Sequence, residues 1–346
     1  MEKNLRRAAE YTAANNLRFR PHAKTHKIPA LARKQLDLGA VGLTVAKVSE
    51  AEVLEQAEPQ DYLIAYPVVG ERKLKRLMQV ARRVQTTVSL DSVEAARQLS
   101  AAGRAAGVEV GVLVEMDAGF GRVGVQPSDV PELAAQVRRL PFLRFEGIAF
   151  FPGHISPNAP GGLGKLDSLG HCIQEVVRAL EQDQIPVRVV SGGSTPTLFY
   201  SHLVSGMNEI RSGTYIFNDK NTIVSGGCTL NECAAFLLTT VISVAKTGQV
   251  ILDIGSKAIG LDPLAGSNEQ SYGHILEAPE ACFFRMNEEH GYVDIRRAER
   301  RFQVGDQIRI IPNHICVAVN LQEEVYGFRG DSIEEIWKVE ARGKLK

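Results

Sequence analysis

The sequence predicts an α/β fold, a (β/α)8 barrel carrying a second, mostly β C-terminal domain, and three observations lead there. Eight short β-type runs alternate with stretches of helical periodicity up to about residue 230. Beyond that point the helical periodicity largely gives way to strand-like runs. The chain has 346 residues, 44% of them apolar, which is enough for one barrel-sized domain and a smaller companion.

The opening MEKNLRRAAEYTAANN reads as a charged helix. Strands are then expected at LRFR from residue 17, VGLTV from 41, YLIAY from 62, TTVSL from 86, EVGVLVEM from 109, RFEGIAFF from 144, VRVVS from 187 and NEIRS from 208. Between them, 29–38, 49–56, 92–106 and 166–182 repeat their apolar residues at helical spacing. Eight strands with intervening helices favour a barrel over an open doubly wound sheet, and no GxGxxG follows the first strand to suggest dinucleotide binding. Gly226 and Gly227 in VSGGCTLNEC mark a linker, which divides a barrel over residues 1–228 from a mostly β domain over 229–346. The runs FLLTTVISV, QVILDIG, ACFFRM, GYVDI, DQIRIIPNHICVAVNL and SIEEIWKVEAR supply the strands of that domain.

Forty basic residues balance forty acidic ones with no long run of either sign, so the expected partner is a small molecule rather than nucleic acid or a membrane surface. No stretch approaches the roughly 18 consecutive apolar residues of a membrane span, and the N-terminus lacks a signal-peptide core. These features point to the cytoplasm. Cys172, Cys228, Cys233, Cys282 and Cys316 form no CxxC pair, and reduced thiols are expected.

In such a barrel the loops at the C-terminal ends of the strands build the active site. The unusual residues collect there: PHAKTHK after the first strand, AKVSE after the second, Asp91 after the fourth, DAGFGRVG after the fifth, PGH after the sixth, GGSTPT after the seventh and GTYIFND after the eighth. SGGSTPT has two glycines that let the backbone approach a ligand, then hydroxyls at the start of an expected helix, where free N–H groups favour an anion. RSGTY adds a glycine and two hydroxyls at the position where these barrels hold phosphate. Either motif alone would pass for a capped turn, whereas the two together read as a phosphate cradle.

Lys24, among the cations of RPHAKTHK, is the best candidate for an amine that forms a Schiff base with an aldehyde, with Lys27 and Lys47 as competitors. A phosphate cradle opposite it implies a phosphorylated aldehyde, and pyridoxal phosphate answers that description. Arg122 in GFGRVG can donate two hydrogen bonds to a planar acceptor such as the cofactor's phenolate. His154 in FPGH can stack on or bond to the cofactor ring, or serve the fold alone. In PNHICVAVN, strand alternation would put His314 and Cys316 on one face, offering an imidazole and a thiolate to a metal; the alternative is a buried cysteine beside an incidental histidine. The sulfur favours zinc over manganese or magnesium, and two ligands leave room for water or substrate.

RPHAKTHK, GFGRVGV, SGGSTPT, RSGTYIFND and PNHICVAVN resemble, in this order and over nearly the whole chain, the fold-type III pyridoxal phosphate enzymes related to alanine racemase. Within them the sequence is similar to the D-threonine aldolase and D-serine dehydratase group. The resemblance implies an alanine-racemase-like fold, with Lys24 as the catalytic Schiff-base lysine and Arg122 on the cofactor's phenolic oxygen. It further implies Gly193, Ser194, Thr195 and Gly213 on the phosphate, Tyr215 in the cofactor pocket, His314 and Cys316 on a divalent metal, and a homodimer. Members of the group usually open on a TPxLxxD-type strand, and this sequence begins inside the following helix, so either the recorded start is late or that first strand of the β domain is absent. TVAKVSEAEV resembles the aldolases; the cysteine at 316 resembles the dehydratases, some aldolases having aspartate there.

The substrate implied is a D-amino acid with a β-hydroxyl. Elimination from D-serine to pyruvate and ammonia is the expected reaction, with cleavage of D-threonine to glycine and acetaldehyde as the alternative. A racemase on this fold would need a second base and no metal, which the His-x-Cys pair speaks against. A non-catalytic pyridoxal phosphate carrier of this barrel type would lack residues 230–346.

Overall fold

A computed structural model describes residues 1–266 and 270–346, arranged as two compact units. The larger comprises 5–213 and 343–346, the smaller 1–4 and 214–342, so the chain passes between them at Gly213 and Thr214, ahead of the Gly226–Gly227 pair.

The larger unit contains all eight expected strands: β1 (Arg18–Phe19), β2 (Leu43–Val45), β3 (Asp61–Ile64), β4 (Gln85–Leu90), β5 (Val110–Met116), β6 (Leu143–Phe150), β7 (Val189–Gly192) and β8 (Glu209–Ile210). They form one parallel sheet in the order β1-β8-β7-β6-β5-β4-β3-β2. Between β1 and β2 the ring closes through a single parallel bridge from His22 to Thr44, where Thr44 N donates to Pro21 O at 2.9 Å. Every residue of β5 is buried, as expected for a parallel strand covered on both faces. Leu63, Leu113, Ala149 and Val189 pack together as one apolar cluster.

Parallel strands need crossovers; one helix leads into β1, six others supply the crossovers from β1 to β7, and a 3-10 segment, Leu198–Leu203, joins β7 to β8. The helices are α1 (Glu2–Ala14), α2 (Pro29–Asp37), α3 (Val48–Leu54), α4 (Glu71–Ala81), α5 (Val93–Ala106), α6 (Val130–Arg139) and α7 (Gly162–Gln182). Pro29 opens α2, where its missing N–H costs nothing. Ser92 caps α5 by accepting from Ala95 N at 3.3 Å, and Gly107 ends that helix at φ +66°. At Gly147, φ is +147° and a Cβ would lie 1.9 Å from Val189 O, so the bulge between β5 and β6 requires glycine. Just past β1, buried Arg20 meets Asp61 at the start of β3 at 2.8 Å and Glu209 at the start of β8 at 3.1 Å, and Ser191 Oγ donates to Glu209 at 2.8 Å. The opposite charges pair within the barrel wall, the arrangement a buried cation requires.

In the smaller unit, β9 (Leu237–Lys246), β10 (Gln249–Leu252), β11 (Gly273–Ile275), β12 (Cys282–Met286), β13 (Gly291–Asp294) and β14 (Gln307–Pro312) form an antiparallel sheet in the order β11-β14-β9-β10-β13-β12. Its core includes Val241, Leu252, Phe283, Val293, Ile308 and Ile310. β15 (Glu324–Arg329) and β16 (Ser332–Lys338) pair as a separate hairpin. The short helices α8 (Lys220–Val224), α9 (Ser256–Ile259) and α10 (Ile315–Leu321) complete it.

Here the expected strand over PNHICVAVN is corrected. β14 stops at Pro312, and the next residues turn into α10 with His314 at its N-cap. Buried Ile315, Ala318 and Val319 recur at helical spacing, which decides the conformation. Among the described residues no helix is long and apolar enough to cross a membrane.

Candidate active site

Lys24 lies in a short 3-10 turn, Ala23–Thr25, directly after β1. His22 caps the turn, its Nδ1 accepting from Lys24 N at 3.4 Å, while His22 N donates to Ser212 O at 3.1 Å. The two competing lysines are engaged. Lys27 is buried against Glu50 at 3.0 Å, and the Lys47 ammonium sits 3.6 Å over the Tyr66 ring. Among the described residues no hydrogen bond or ion pair holds the half-buried Lys24 amine.

The two glycine-bearing loops after β7 and β8 come together. Ser212 Oγ donates to Ser194 O at 2.9 Å, and Ser194 Oγ bonds Thr197 Oγ1 at 3.0 Å. Gly193 has φ +86°. A Cβ on Gly213 would stand 2.7 Å from His22 O and 2.9 Å from Thr25 Oγ1, so glycine is what lets the β8 loop lie against the lysine turn. Ser194 and Thr195 are buried. The α-helix expected after SGGSTPT is instead a six-residue 3-10 segment, Leu198–Leu203, because Thr197 Oγ1 takes the N–H of Ser194 at 3.2 Å and shapes a turn first.

Positive charge converges on this mouth. Burial drives the His22 pKa well below its ordinary value, and the charges of Lys24, Arg211 and Arg122 push the same way, so the ring is neutral at physiological pH. Arg211 is itself buried; its Nη2 donates to Phe150 O at 2.6 Å, and its Nε has no partner among the described residues. Burial lowers the Arg211 pKa while Glu115 and Glu209 oppose that shift. Arg211 stood inside RSGTY, yet nothing in the sequence told a buried arginine from a surface one.

Arg122 and His154 are brought together, both exposed, by the loop after β5. Asp117 Oδ1 shapes that loop by accepting the N–H groups of Gly119, Phe120 and Gly121 at 3.0, 3.0 and 3.1 Å. The Arg122 guanidinium lies 4.7 Å from the Phe151 ring centre and 5.3 Å from that of Phe120, and His154 stacks at 6.4 Å on Phe120.

His314 and Cys316 belong to the smaller unit, and the first turn of α10 rather than strand alternation brings them together. Asp219, almost fully buried at the N-cap of α8, organises them. Its Oδ1 accepts from Thr222 N at 2.8 Å and Thr222 Oγ1 at 2.7 Å; its Oδ2 accepts from His314 Nδ1 at 3.0 Å and Ile315 N at 3.1 Å. Burial works against the His314 cation, but the hydrogen bonds to Asp219 and Cys316 outweigh it and hold the pKa at about 11. Thr214 Oγ1 lies 3.7 Å from Cys316 Sγ. With Nδ1 committed to Asp219, Nε2 is the nitrogen left for a metal. Among the described residues no group of three or more His, Cys, Asp or Glu is placed to hold one, so this pair would leave the other positions to water or substrate. Tyr215 is buried in the 3-10 turn Thr214–Ile216 of the same unit.

The family model of the alanine racemase N-terminal domain matches residues 1–221, and that of a putative serine dehydratase domain matches 234–328. A 3-hydroxy-D-aspartate aldolase of Paracoccus denitrificans is 31% identical over 99% of this chain and 90% of its own. A D-threo-3-hydroxyaspartate dehydratase of a Delftia species is 32% identical, covering 98% and 94%. The crystal structure of a D-threonine aldolase from Filomicrobium marinum matches at a TM-score of 0.91 and 31% identity, over 100% of this chain and 94% of that one. The chain therefore belongs to the fold-type III pyridoxal phosphate enzymes related to alanine racemase, within the lyase group of D-threonine aldolase and D-serine dehydratase.

Proposed function

We propose that the chain is a pyridoxal phosphate- and metal-dependent lyase that eliminates water from a D-3-hydroxy amino acid, converting D-serine to pyruvate and ammonia. The observation that carries this reading is the His314–Cys316 pair oriented by Asp219. Solved structures of D-threo-3-hydroxyaspartate dehydratase include a histidine-to-alanine variant and, two positions further on, a cysteine-to-alanine variant described as metal-free. The spacing is that of His314 and Cys316. A thiolate suits zinc better than manganese or magnesium.

The barrel residues fit the cofactor. They offer an unengaged lysine for its aldehyde, two further cations, Arg122 and Arg211, the latter with an orphaned buried Nε, for its negative charge, and loops after β7 and β8 where a Cβ at Gly213 is excluded. When bound, pyridoxal phosphate withdraws electrons from the bonds at the substrate's Cα, and the metal acts as a Lewis acid toward the hydroxyl. Lys24 takes the α-proton at Nζ. Gly193, Ser194, Thr195 and Gly213 hold the phosphate, Arg122 bonds the phenolic oxygen, and His154 and Tyr215 contribute to the cofactor pocket. His314 Nε2 and Cys316 Sγ hold the metal, and Asp219 keeps the imidazole in the required tautomer.

Cleavage of D-threonine to glycine and acetaldehyde is the second reading, favoured by relatives named as aldolases at 31% identity. Incubating the purified protein with D-serine and with D-threonine, with and without chelator, separates the two. Pyruvate from D-serine that disappears with chelator supports elimination; acetaldehyde as the sole carbonyl product overturns it.

A further inference from the structure

We infer that the buried ion pair between Lys27 and Glu50 is a positioning clamp that fixes the height and direction of the Lys24 turn. This rests on the reading of Lys24 as the amine that takes the cofactor. Lys27 stands three residues after Lys24 in the left-handed region, at φ +57°, a conformation uncommon for a side-chain-bearing residue. Its backbone N donates to Ala23 O at 2.8 Å, which closes the turn that contains Lys24. Its ammonium reaches Glu50 Oε1 at 3.0 Å, off the axis of a well-formed hydrogen bond, as a contact between charges. Both side chains are nearly inaccessible, at 6% and 2% exposure.

Glu50 faces two ways. Its Oε2 accepts Ala46 N at 2.7 Å and Lys47 N at 3.2 Å, so one carboxylate joins the loop after β2 to the turn after β1. His26 secures the far side, its Nδ1 accepting from Ile28 N at 3.0 Å and its Nε2 meeting Gln35 Oε1 at 3.2 Å. At the near side Gly213 and Ser212 lie against His22. The turn is thus held at both ends, and Lys27 with Glu50 is the charged end. A helix cap alone would explain the Ala46 and Lys47 bonds, since Glu50 is the third residue of α3 and reaches back to its start. It would not call for a buried cation opposite. For stability alone an apolar pair of similar volume serves as well or better.

Glu50→Gln isolates the clamp, because glutamine at this position still caps the helix while the charge that holds Lys27 is gone. In the holoenzyme, Glu50→Gln and Lys27→Met should each weaken cofactor binding about tenfold or more, because the turn loses the preorganisation that presents the Lys24 amine. Borohydride-trapped cofactor should fall on the Lys24 peptide in both, and in Glu50→Gln part of it should move to the freed Lys27. Lys27→Arg keeps the cation and should recover most of the affinity. Lys27→Met/Glu50→Gln covers the case in which a single variant unfolds, since it removes both charges and keeps the acceptor for Ala46 N and Lys47 N. A double variant that melts like the parent and still traps poorly on Lys24 supports the clamp. Parental cofactor affinity, Lys24 trapping and turnover in a folded double variant would reduce the pair to packing. Trapping of the unsubstituted protein on a lysine other than Lys24 would instead sink the reading on which the clamp depends.

Discussion

Replacing Asp219 by asparagine isolates the group that orients His314 in the proposed metal pair. The substitution preserves volume and an N-cap residue for α8, because asparagine caps as well as aspartate. It cannot preserve all four bonds. Asp219 accepts two donors at each oxygen, Thr222 on one side and His314 with Ile315 on the other, and an amide has a single acceptor. The Thr222 side is a local cap that asparagine fills readily, so the amide NH2 turns toward His314 and Ile315, where two donors then face two. His314 Nδ1 loses a charge-assisted bond of 3.0 Å, and with it the constraint that leaves Nε2 free. Loss of such a carboxylate–histidine contact weakens metal binding by about 10- to 100-fold, or about 1.4 to 2.7 kcal/mol at 1.36 kcal/mol per tenfold. Competition against a chromogenic chelator measures it directly, and cofactor binding in the same variant should be unchanged. Metal affinity within twofold of the parent protein would show that Asp219 serves the fold alone.

Four further outcomes are expected. Lys24→Ala should abolish borohydride trapping of the cofactor on its peptide, and trapping that persists at Lys27 or Lys47 would identify a different amine. Cys316→Ala should lose the metal and most turnover while keeping the cofactor, whereas Cys316→Asp should move metal preference toward manganese or magnesium and the products toward cleavage; metal analysis and carbonyl product ratios report both. Gly213→Ala should cost about 1–3 kcal/mol of stability, since its Cβ would lie 2.7 Å from His22 O, and a parental urea midpoint would contradict that contact. His26, whose pKa burial lowers from 6.5 to about 4 against the opposing bonds to Gln35 and Ile28, is neutral in the fold. Its contribution is complete above pH 6.5 and is lost as pH falls toward 4, about 3 kcal/mol in all at 1.36 kcal/mol per unit. Urea unfolding across that window should therefore flatten in His26→Gln.

The eight barrel strands were legible because a strand covered on both faces leaves a nearly continuous apolar run, as VGVLV does at the start of β5. Strands of the smaller unit with one open face were harder. β15, with Tyr326 and Phe328 exposed, and the three-residue β11 left no such run. His314 and Cys316 were found for a reason that failed, since two residues apart share a side of a strand but not of a helix. Their meeting depends on Asp219, almost a hundred positions away along the chain. Arg211 and Asp219 lay inside quoted motifs yet were passed over, because burial gives a charged residue its meaning and no local spacing records burial. The same holds for Lys27, a competitor for the reactive amine in the sequence, whose ammonium lies buried 3.0 Å from Glu50.

Seven ladders and one bridge make a ring with a seam, and the seam falls at His22 and Thr44, beside the turn that bears Lys24. Three hydrogen bonds cross it, Val41 N to Phe19 O at 2.9 Å, Thr44 N to Pro21 O at 2.9 Å and Thr44 Oγ1 to Arg20 O at 2.7 Å, so its opening is governed by a handful of bonds next to Lys24. Whatever engages Lys24 from above also staples the seam from the side. The amide of Thr44, which donates across the gap to Pro21 O at 2.9 Å, is consequently a built-in gauge, its exchange with solvent slowing when the mouth is filled.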